Sequence, residues 1–192
     1  MNTLASNPRI ASHCRRLTLR GLDPTFIMLY RNAIHKALLA LSNLVDLDLF
    51  IDFSLLDGRT FRLRKLRVER LIDLPDDHLV LEGQEDIVDL DTRGMGNIRI
   101  DHTRLPNLTI LAADYYNTVV TKLPIRALYC ASMFEAMTLP PLEHVKALRA
   151  QWNVADELSP LTVGFPNLRY VRLRLQFLDV GFKLILNLRF QH

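Results

Sequence analysis

Hydrophobic residues in this chain recur in a spaced pattern, not in long runs. A six-residue template, L-x-x-L-x-L, returns at intervals of 17 to 30 residues. Side chains alternate along a strand, so the fourth and sixth residues of the template face one side, and the first packs from the preceding turn. No single unit buries that side, and stacked neighbours are needed to make a core. The template starts at Cys14, Leu44, Leu63, Ile87, Leu108, Ile125, Val145 and Leu168, with a weaker ninth start at Ile185.

The template predicts an α/β solenoid of eight or nine short parallel strands in a single domain over residues 1–192. Four units are preceded by proline, at Pro106, Pro124, Pro140-Pro141 and Pro166, a regularity that chance would not give. An ordinary α/β domain with a parallel sheet is the alternative, because its buried strands also appear as apolar runs. The apolar C-terminal run lacks a polar cap, which indicates a fragment of a longer array or an end that a partner covers.

One substantial helix is expected, early in the chain. Asp23 and Pro24 form a helix-start signal, and apolar residues then recur at helical spacing from Phe26 to Leu41. This helix would cap the N-terminal end of the solenoid. The later connections, such as 72–84 and 94–106, contain Pro, Gly and Asp and predict loops or short turns on the convex side, with one or two helical turns at 131–139.

Particular phrases of the sequence resemble a known family. Pro106-Asn107-Leu108 and Pro166-Asn167-Leu168 each open a unit, and residues 142–150 read LEHVKALRA. Over nearly its whole length the chain resembles leucine-rich repeat proteins, whose units span roughly 20–29 residues, and in particular the divergent repeats of fungal F-box/leucine-rich-repeat proteins. Position 9, where regular members carry Asn or Cys, is instead Asp52, Leu71, Tyr116, Met133 or Asn153.

The resemblance implies a non-catalytic scaffold for protein–protein interaction. It further implies substrate recognition for an F-box-type ubiquitin ligase. A Skp-type adaptor would then be a partner if an F-box is supplied elsewhere, because the F-box pattern is not seen in this sequence.

Charged residues alternate in sign along the predicted concave face. Positions 3, 5 and 7 of each unit face away from the core, and in the first four units the charges at positions 3 and 5 are basic, acidic, basic and acidic in turn. Neighbouring strands lie about 4.8 Å apart. Opposite charges on them can therefore pair, at about 0.2–1 kcal/mol per pair. The main members are Arg16, Arg20, Asp46, Asp48, Lys65, Arg67, Asp89, Asp91 and Arg93.

The later units carry small apolar residues on this face, followed by tyrosine and arginine. Tyr, Trp and Arg are enriched where proteins bind one another. We therefore expect a peptide- or protein-binding site on the concave face, and the alternative is a solvated face with small residues by chance. The candidate residues are Ile110, Ala112, Tyr129, Arg149, Trp152, Tyr170, Arg172 and Arg174.

The charge of the chain suggests a second hypothesis. The net charge is +3 and the pI about 9.0, and residues 59–70 are densely basic. This stretch could make the chain an electrostatic nucleic-acid-binding module. We expect no exposed aromatic platform beside its arginines of the kind that single strands need, so we favour protein binding.

No motif indicates catalysis, a cofactor or a metal. The six histidines are scattered, no nucleophile motif is found, and the paired aspartates lack the EF-hand spacing and fit charge pairing better than a metal site. We therefore expect no enzyme activity. Cys14 and Cys130 occupy core positions of the template, which suggests a reducing compartment. Without a signal-like or membrane-length apolar segment, the expected location is cytoplasmic or nuclear.

Overall fold

Nine strands form one sheet and lie side by side in the order in which they occur along the chain. The computed structural model describes residues 2–20, 24–49, 56, 58–68, 83–93, 103–113, 118–130, 136, 138–152, 160–176 and 183–190. Neighbouring strands from β1 to β8 are parallel, and β9 is antiparallel to β8. The strands are β1 Arg16–Leu19, β2 Asp46–Leu49, β3 Lys65–Val68, β4 Asp89–Asp91, β5 Ile110–Ala113, β6 Ala127–Cys130, β7 Ala147–Trp152, β8 Tyr170–Gln176 and β9 Lys183–Arg189.

The sheet has the register that the leucine template predicts for β1 to β8. The fourth template residues face one another across all eight parallel strands, and from β2 onwards they are buried. They are Leu17, Leu47, Leu66, Leu90, Leu111, Leu128, Leu148 and Val171. The sixth residues lie on the same side and are buried as well. The fold is therefore an α/β solenoid with its core on one side of a mostly parallel sheet, and that prediction is confirmed.

A backbone hydrogen-bond ladder joins each parallel strand to the next. The carbonyl oxygen at template position 2 accepts the N–H groups of positions 2 and 3 of the following unit. Arg126 O, for example, accepts from Lys146 N at 2.9 Å and Ala147 N at 3.0 Å, and Lys146 O accepts from Arg169 N at 2.8 Å and Tyr170 N at 3.0 Å. The same arrangement occurs at all seven parallel junctions, which fixes where every strand begins.

Asparagine side chains also join neighbouring units, at a position outside the leucine template. Asn43, Asn107 and Asn167 each lie immediately before position 1. Their Nδ2 atoms donate to the carbonyl oxygens of Ser12, Glu85 and Glu143 at 2.8, 3.0 and 2.9 Å. Each acceptor lies two residues before position 1 of the preceding unit. The ladder therefore joins neighbouring units at one constant template position.

The buried Gln84 bridges a junction that has no asparagine at this position. Its Nε2 atom donates to Phe61 O at 3.2 Å, and its Oε1 atom accepts from Leu63 N at 2.8 Å. Phe61 is the residue equivalent to Ser12, Glu85 and Glu143 in the other units. A buried amide thus satisfies a backbone acceptor that would otherwise be costly to bury.

The Pro-Asn-Leu phrase forms a tight turn before two of the strands. Leu105 O accepts from Leu108 N, and Phe165 O accepts from Leu168 N, both at 3.1 Å. Proline then occupies the second residue of a four-residue turn, a position that its fixed φ angle favours. The turn leaves the following asparagine free to donate to the preceding unit.

The helices are concentrated at the N-terminal end of the described chain. They are α1 Asn2–Ser6, α2 Pro8–His13, α3 Pro24–Leu39 and α4 Pro160–Gly164, with a 3₁₀ helix at Thr118–Lys122. The predicted early helix is confirmed with Pro24 as its first residue, while Asp23 lies outside the described residues. The predicted loops and turns at 72–84, 94–106 and 131–139 also fall largely outside them.

The second half of α3 packs on the solenoid, whereas several apolar residues of its first half are exposed. Ile34, Ala37 and Leu38 are buried, whereas Phe26, Leu29 and Tyr30 are exposed. The rings of Phe26 and Tyr30 contact each other, with 4.4 Å between centroids. The apolar spacing of α3 therefore predicts the helix correctly but overstates the length of its buried face.

The last strand differs from the sequence prediction. The ninth template start at Ile185 predicts a ninth parallel unit, but β9 runs antiparallel to β8 and pairs Leu186 with Leu173 and Ile185 with Arg174. Leu186 and Phe190 pack against the core, while Ile185 and Leu188 are 47% and 36% exposed. Template positions 1 and 4 of this unit are therefore not buried, so the ninth repeat was wrong in direction and register.

Candidate protein-binding groove

The concave face of the first four strands is covered by ion pairs between neighbouring units. Arg16 lies 2.6 Å from Asp46, and Lys65 lies 2.7 Å from Asp89. Asp48 is shared between Arg20 and Arg67. The charge alternation that the sequence shows is thus a cross-strand ladder. Because these charges neutralise one another, this half of the face has little left with which to bind a charged partner.

Asp91 ends the ladder and is its most buried carboxylate. It is 5% exposed and accepts from Arg67 Nε at 2.7 Å. Arg93 donates to it from Nε at 2.9 Å, from a terminal guanidinium nitrogen at 2.6 Å and from the backbone at 3.3 Å. Burial by itself raises the pKa of Asp91. The hydrogen bonds and charge of Arg93, with the charge of Arg67, outweigh it, so the pKa lies below its usual value.

Beyond Asp91 the residues on the concave face change from paired charges to small, aromatic and basic side chains. A groove with a volume of about 220 Å³ lies across β6 to β9. Its floor contains the small residues Ala127 and Ala147, which occupy position 3 of their units. Its other lining residues include Tyr129, Arg149, Tyr170, Arg172, Asn187 and Leu188. The small floor residues leave room for an apolar side chain between tyrosines and arginines. We call this feature the concave groove.

Two arginines lie over the tyrosines of this region. The guanidinium carbon of Arg149 is 5.8 Å from the centroid of the Tyr129 ring, and that of Arg189 is 5.7 Å from the centroid of Tyr170. Both distances are within the range in which a cation is attracted to an aromatic face. The stacking orders the arginines without neutralising their charge.

The electrostatics of the concave groove favour an anion. Burial lowers the pKa of Arg149, and the positive charges of Arg172, Arg93 and Arg174 lower it further. Among the residues that the structure describes, no carboxylate lies within 4 Å of Arg149, Arg172, Arg174 or Arg189. Several cations therefore repel one another here, and a partner carboxylate would relieve that repulsion.

The structure brings together half of the predicted site residues. Tyr129, Arg149, Tyr170 and Arg172 line the concave groove. Arg174 is adjacent on β8 and pairs with Ile185 of β9. Asn187 and Arg189 were missed, because their place beside the groove depends on β9 folding back on β8, which the repeat template does not predict.

The other three predicted residues lie outside the groove. Ile110 and Ala112 belong to β5, one strand before it, and Ala112 is buried at 4% exposure. Trp152 ends β7, where its backbone is in register with Leu175 of β8.

The basic stretch 59–70, on which the nucleic-acid hypothesis rests, is largely involved in internal contacts. Lys65 and Arg67 belong to the ion-pair ladder. Arg62 lies 3.9 Å from Glu85 and 3.7 Å from Asp86. Arg59 donates to Leu56 O at 3.1 Å. These contacts reduce the positive charge that the stretch could offer to phosphates.

Across the described ranges, His, Cys, Asp and Glu side chains do not form a group of three or more that could hold a metal ion. Within the same ranges, no helix has both the length and the hydrophobicity needed to cross a membrane.

Comparison of the chain with protein-family models, curated proteins and solved structures finds no match. The structure itself defines a class, a repeat solenoid of short parallel strands with a groove on its concave face.

Proposed function

We propose that the protein is a non-catalytic scaffold for protein–protein interaction that binds an acidic segment of a partner in the concave groove. The observation that carries this proposal is the contrast along one face of the sheet. The first four strands pair their charges internally, whereas the groove over β6 to β9 carries arginines with no carboxylate of the described residues beside them.

The composition of the groove supports a protein partner. Arginine binds carboxylates with two parallel hydrogen bonds, and such charge-assisted bonds are stronger than neutral ones. Tyr129 and Tyr170 add apolar surface with a polar tip, and the two alanines admit an apolar side chain between them. Sites rich in tyrosine and arginine around a small apolar floor are typical of binding hot spots.

The resemblance to F-box/leucine-rich-repeat proteins suggests a setting for this activity. In that setting the scaffold would recognise substrates for a ubiquitin ligase, with a Skp-type adaptor bound through an F-box supplied elsewhere. The test is co-purification of a tagged full-length protein from its native cells, with the adaptor as the expected partner. If the adaptor is absent under conditions that retain the groove-binding partner, the ubiquitin-ligase role is contradicted and the scaffold role remains.

Peptide selection would test the groove directly. Displayed random peptides selected on the full chain should be enriched in Asp and Glu around an apolar residue. Arg149→Glu should weaken binding of a selected peptide by roughly 30-fold or more, as expected for the loss of about 2 kcal/mol at a hot spot. Lys36→Glu is the matched control, because Lys36 is exposed on α3 and away from the groove.

Two results would contradict the proposal. One is equal weakening by Arg149→Glu and Lys36→Glu, which would show that only the total charge matters. The other is a set of selected peptides with no acidic enrichment. Binding should weaken less steeply with rising salt than a nucleic-acid contact would, because an apolar contact contributes to it.

A further inference from the structure

A second cavity lies at a different place, along the edge of the sheet at which β6, β7 and β8 begin. Its volume is about 610 Å³, nearly three times that of the concave groove, and the two share no lining residue. We call it the edge cleft. Its polar lining includes Lys122, Arg126, Glu143, His144, Lys146, Asn167 and Arg169.

Three of its cations form a row set by the repeat. Arg126, Lys146 and Arg169 occupy template position 2 on three consecutive units. The backbone ladder joins them directly, because Arg126 O accepts from Lys146 N and Lys146 O accepts from Arg169 N. Strand spacing therefore separates neighbouring members by about 4.8 Å at the backbone and the ends of the row by about 10 Å. The equivalent residues of units two, four and five are Val45, Val88 and Thr109.

Near the same edge, the arginine that directly precedes position 1 of unit three is neutralised by two carboxylates. There Arg62 faces Glu85 and Asp86, which are the two residues before position 1 of unit four. The equivalent pair in unit seven is Glu143 and His144. Histidine thus replaces one of the two carboxylates at the place where the row of cations is longest. The Glu143 carbonyl is also engaged by the Asn167 side chain, which fixes the far wall of the cleft.

The charge of the cleft is large for its size. Four cations, Lys122, Arg126, Lys146 and Arg169, are set against the single carboxylate Glu143, which gives +3 with His144 neutral. That equals the formal charge of the entire chain. Among the described residues, none of these four cations has a carboxylate within 4 Å.

We propose that the edge cleft binds a small anion carrying two or more linked phosphate groups. Lysine and arginine are the usual donors to phosphate oxygens, lysine as a point charge and arginine through a planar fork. A row of about 10 Å is longer than one phosphate group can bridge, so linked phosphates match it better than a single one. His144 and the Lys122 ammonium group supply further donors at the sides. All these side chains are exposed, so binding is electrostatic and falls as salt rises.

The test is calorimetric titration of the full chain with inorganic tripolyphosphate, with sulfate as a divalent comparison. Tripolyphosphate should bind at about 50 mM salt and lose much of its affinity by about 200 mM. Lys146→Glu, at the centre of the row, should weaken binding roughly tenfold or more, since it replaces attraction by repulsion. Arg64→Glu is the matched control, because Arg64 holds position 2 of unit three and lies outside the cleft.

Two further variants sharpen the result. His144→Asp restores the carboxylate that Asp86 provides in unit four and should also weaken binding. Arg126→Gln removes one end of the row without adding negative charge, and it serves if Lys146→Glu disturbs folding, as judged by circular dichroism. Binding of an acidic peptide in the concave groove should be unchanged by Arg126→Gln, which keeps this proposal separable from the proposed function.

Several outcomes would overturn the proposal. Equal affinity for sulfate and tripolyphosphate would indicate an adventitious ion only. Equal weakening by Lys146→Glu and Arg64→Glu would place the binding outside the cleft. Binding of a single-stranded oligonucleotide that Lys146→Glu abolishes, without binding of tripolyphosphate, would assign the cleft to a nucleic-acid backbone instead.

Discussion

Replacing Asp91 by alanine should destabilise the solenoid far more than replacing Asp46, although both are ladder carboxylates. Asp91 is 5% exposed and is held by Arg67 and by three donors of Arg93. Its removal leaves two arginines that repel each other over a partly buried surface. The ion pair of Asp46 is different, because the Arg16 side chain is 77% exposed.

The expected losses in the free energy of unfolding follow from how deeply each ion pair is buried. Removing one partner of a fully buried ion pair costs about 3–5 kcal/mol. The arginines around Asp91 keep 34% and 41% of their side-chain surface exposed. Discounting for that screening, we expect a loss of about 2–3 kcal/mol for Asp91→Ala. Asp46→Ala should cost at most about 1 kcal/mol, as exposed pairs do. Urea unfolding followed by circular dichroism measures both values.

The pH dependence gives an independent check. The pKa of Asp91 is lowered in the folded protein, so its stabilising contribution is present above the pKa of the unfolded chain, about 3.9. That contribution is lost as the pH falls through the lower folded value. The free energy of unfolding of the wild type should therefore exceed that of Asp91→Asn by a constant amount near neutrality, and this difference should shrink below about pH 4. Equal losses for Asp91→Ala and Asp46→Ala, or an advantage that grows in acid, would refute this reasoning.

Three further predictions concern the core, the asparagine ladder and the last strand. Leu111→Asp should unfold the domain, because it places a carboxylate at a fully buried position at a cost of several kcal/mol; a cooperatively folded variant by circular dichroism would contradict the register. Asn167→Ala should lower the free energy of unfolding by about 0.5–1.5 kcal/mol through loss of its bond to the preceding unit, and an unchanged urea midpoint would contradict that role. We expect the chain to self-associate through β9, so Ile185→Lys with Leu188→Lys should shift sedimentation towards the monomer, whereas a monomeric wild type would defeat the prediction.

The periodic part of the fold was predictable because its causes are local. Apolar residues, most often leucine, recur at positions 1, 4 and 6 of the units, so the register of β1 to β8 can be read without knowing any contact. The charge alternation from Arg16 to Asp91 was predictable for the same reason, since neighbouring units lie next to each other in space. The asparagine ladder had a visible signal too, as Asn43, Asn107 and Asn167 all directly precede position 1.

The parts that failed depend on contacts at the ends of the array. The alternation of Leu184, Leu186 and Leu188 fits β9 better than the template start at Ile185, but alternation does not reveal strand direction. The beginning of α3 is a similar case, because Phe26 has helical spacing but is exposed. The tyrosines and arginines of β6 to β8 that line the groove could be predicted, whereas Asn187 and Leu188, which β9 contributes, could not.

The spacing of parallel strands sets a repeat distance along the concave face. A partner can contact successive strands in the same way only if its own structural repeat is close to that distance. Successive units present equivalent positions about every 4.8 Å. An extended peptide laid along the array shows the same face about every 6.7 Å, so after three steps it is out of phase by about 6 Å. An α-helix repeats every 5.4 Å and slips by only about 2 Å over the same distance. A partner that contacts Ala127, Ala147 and Tyr170 in succession is therefore better matched as a helix than as a strand.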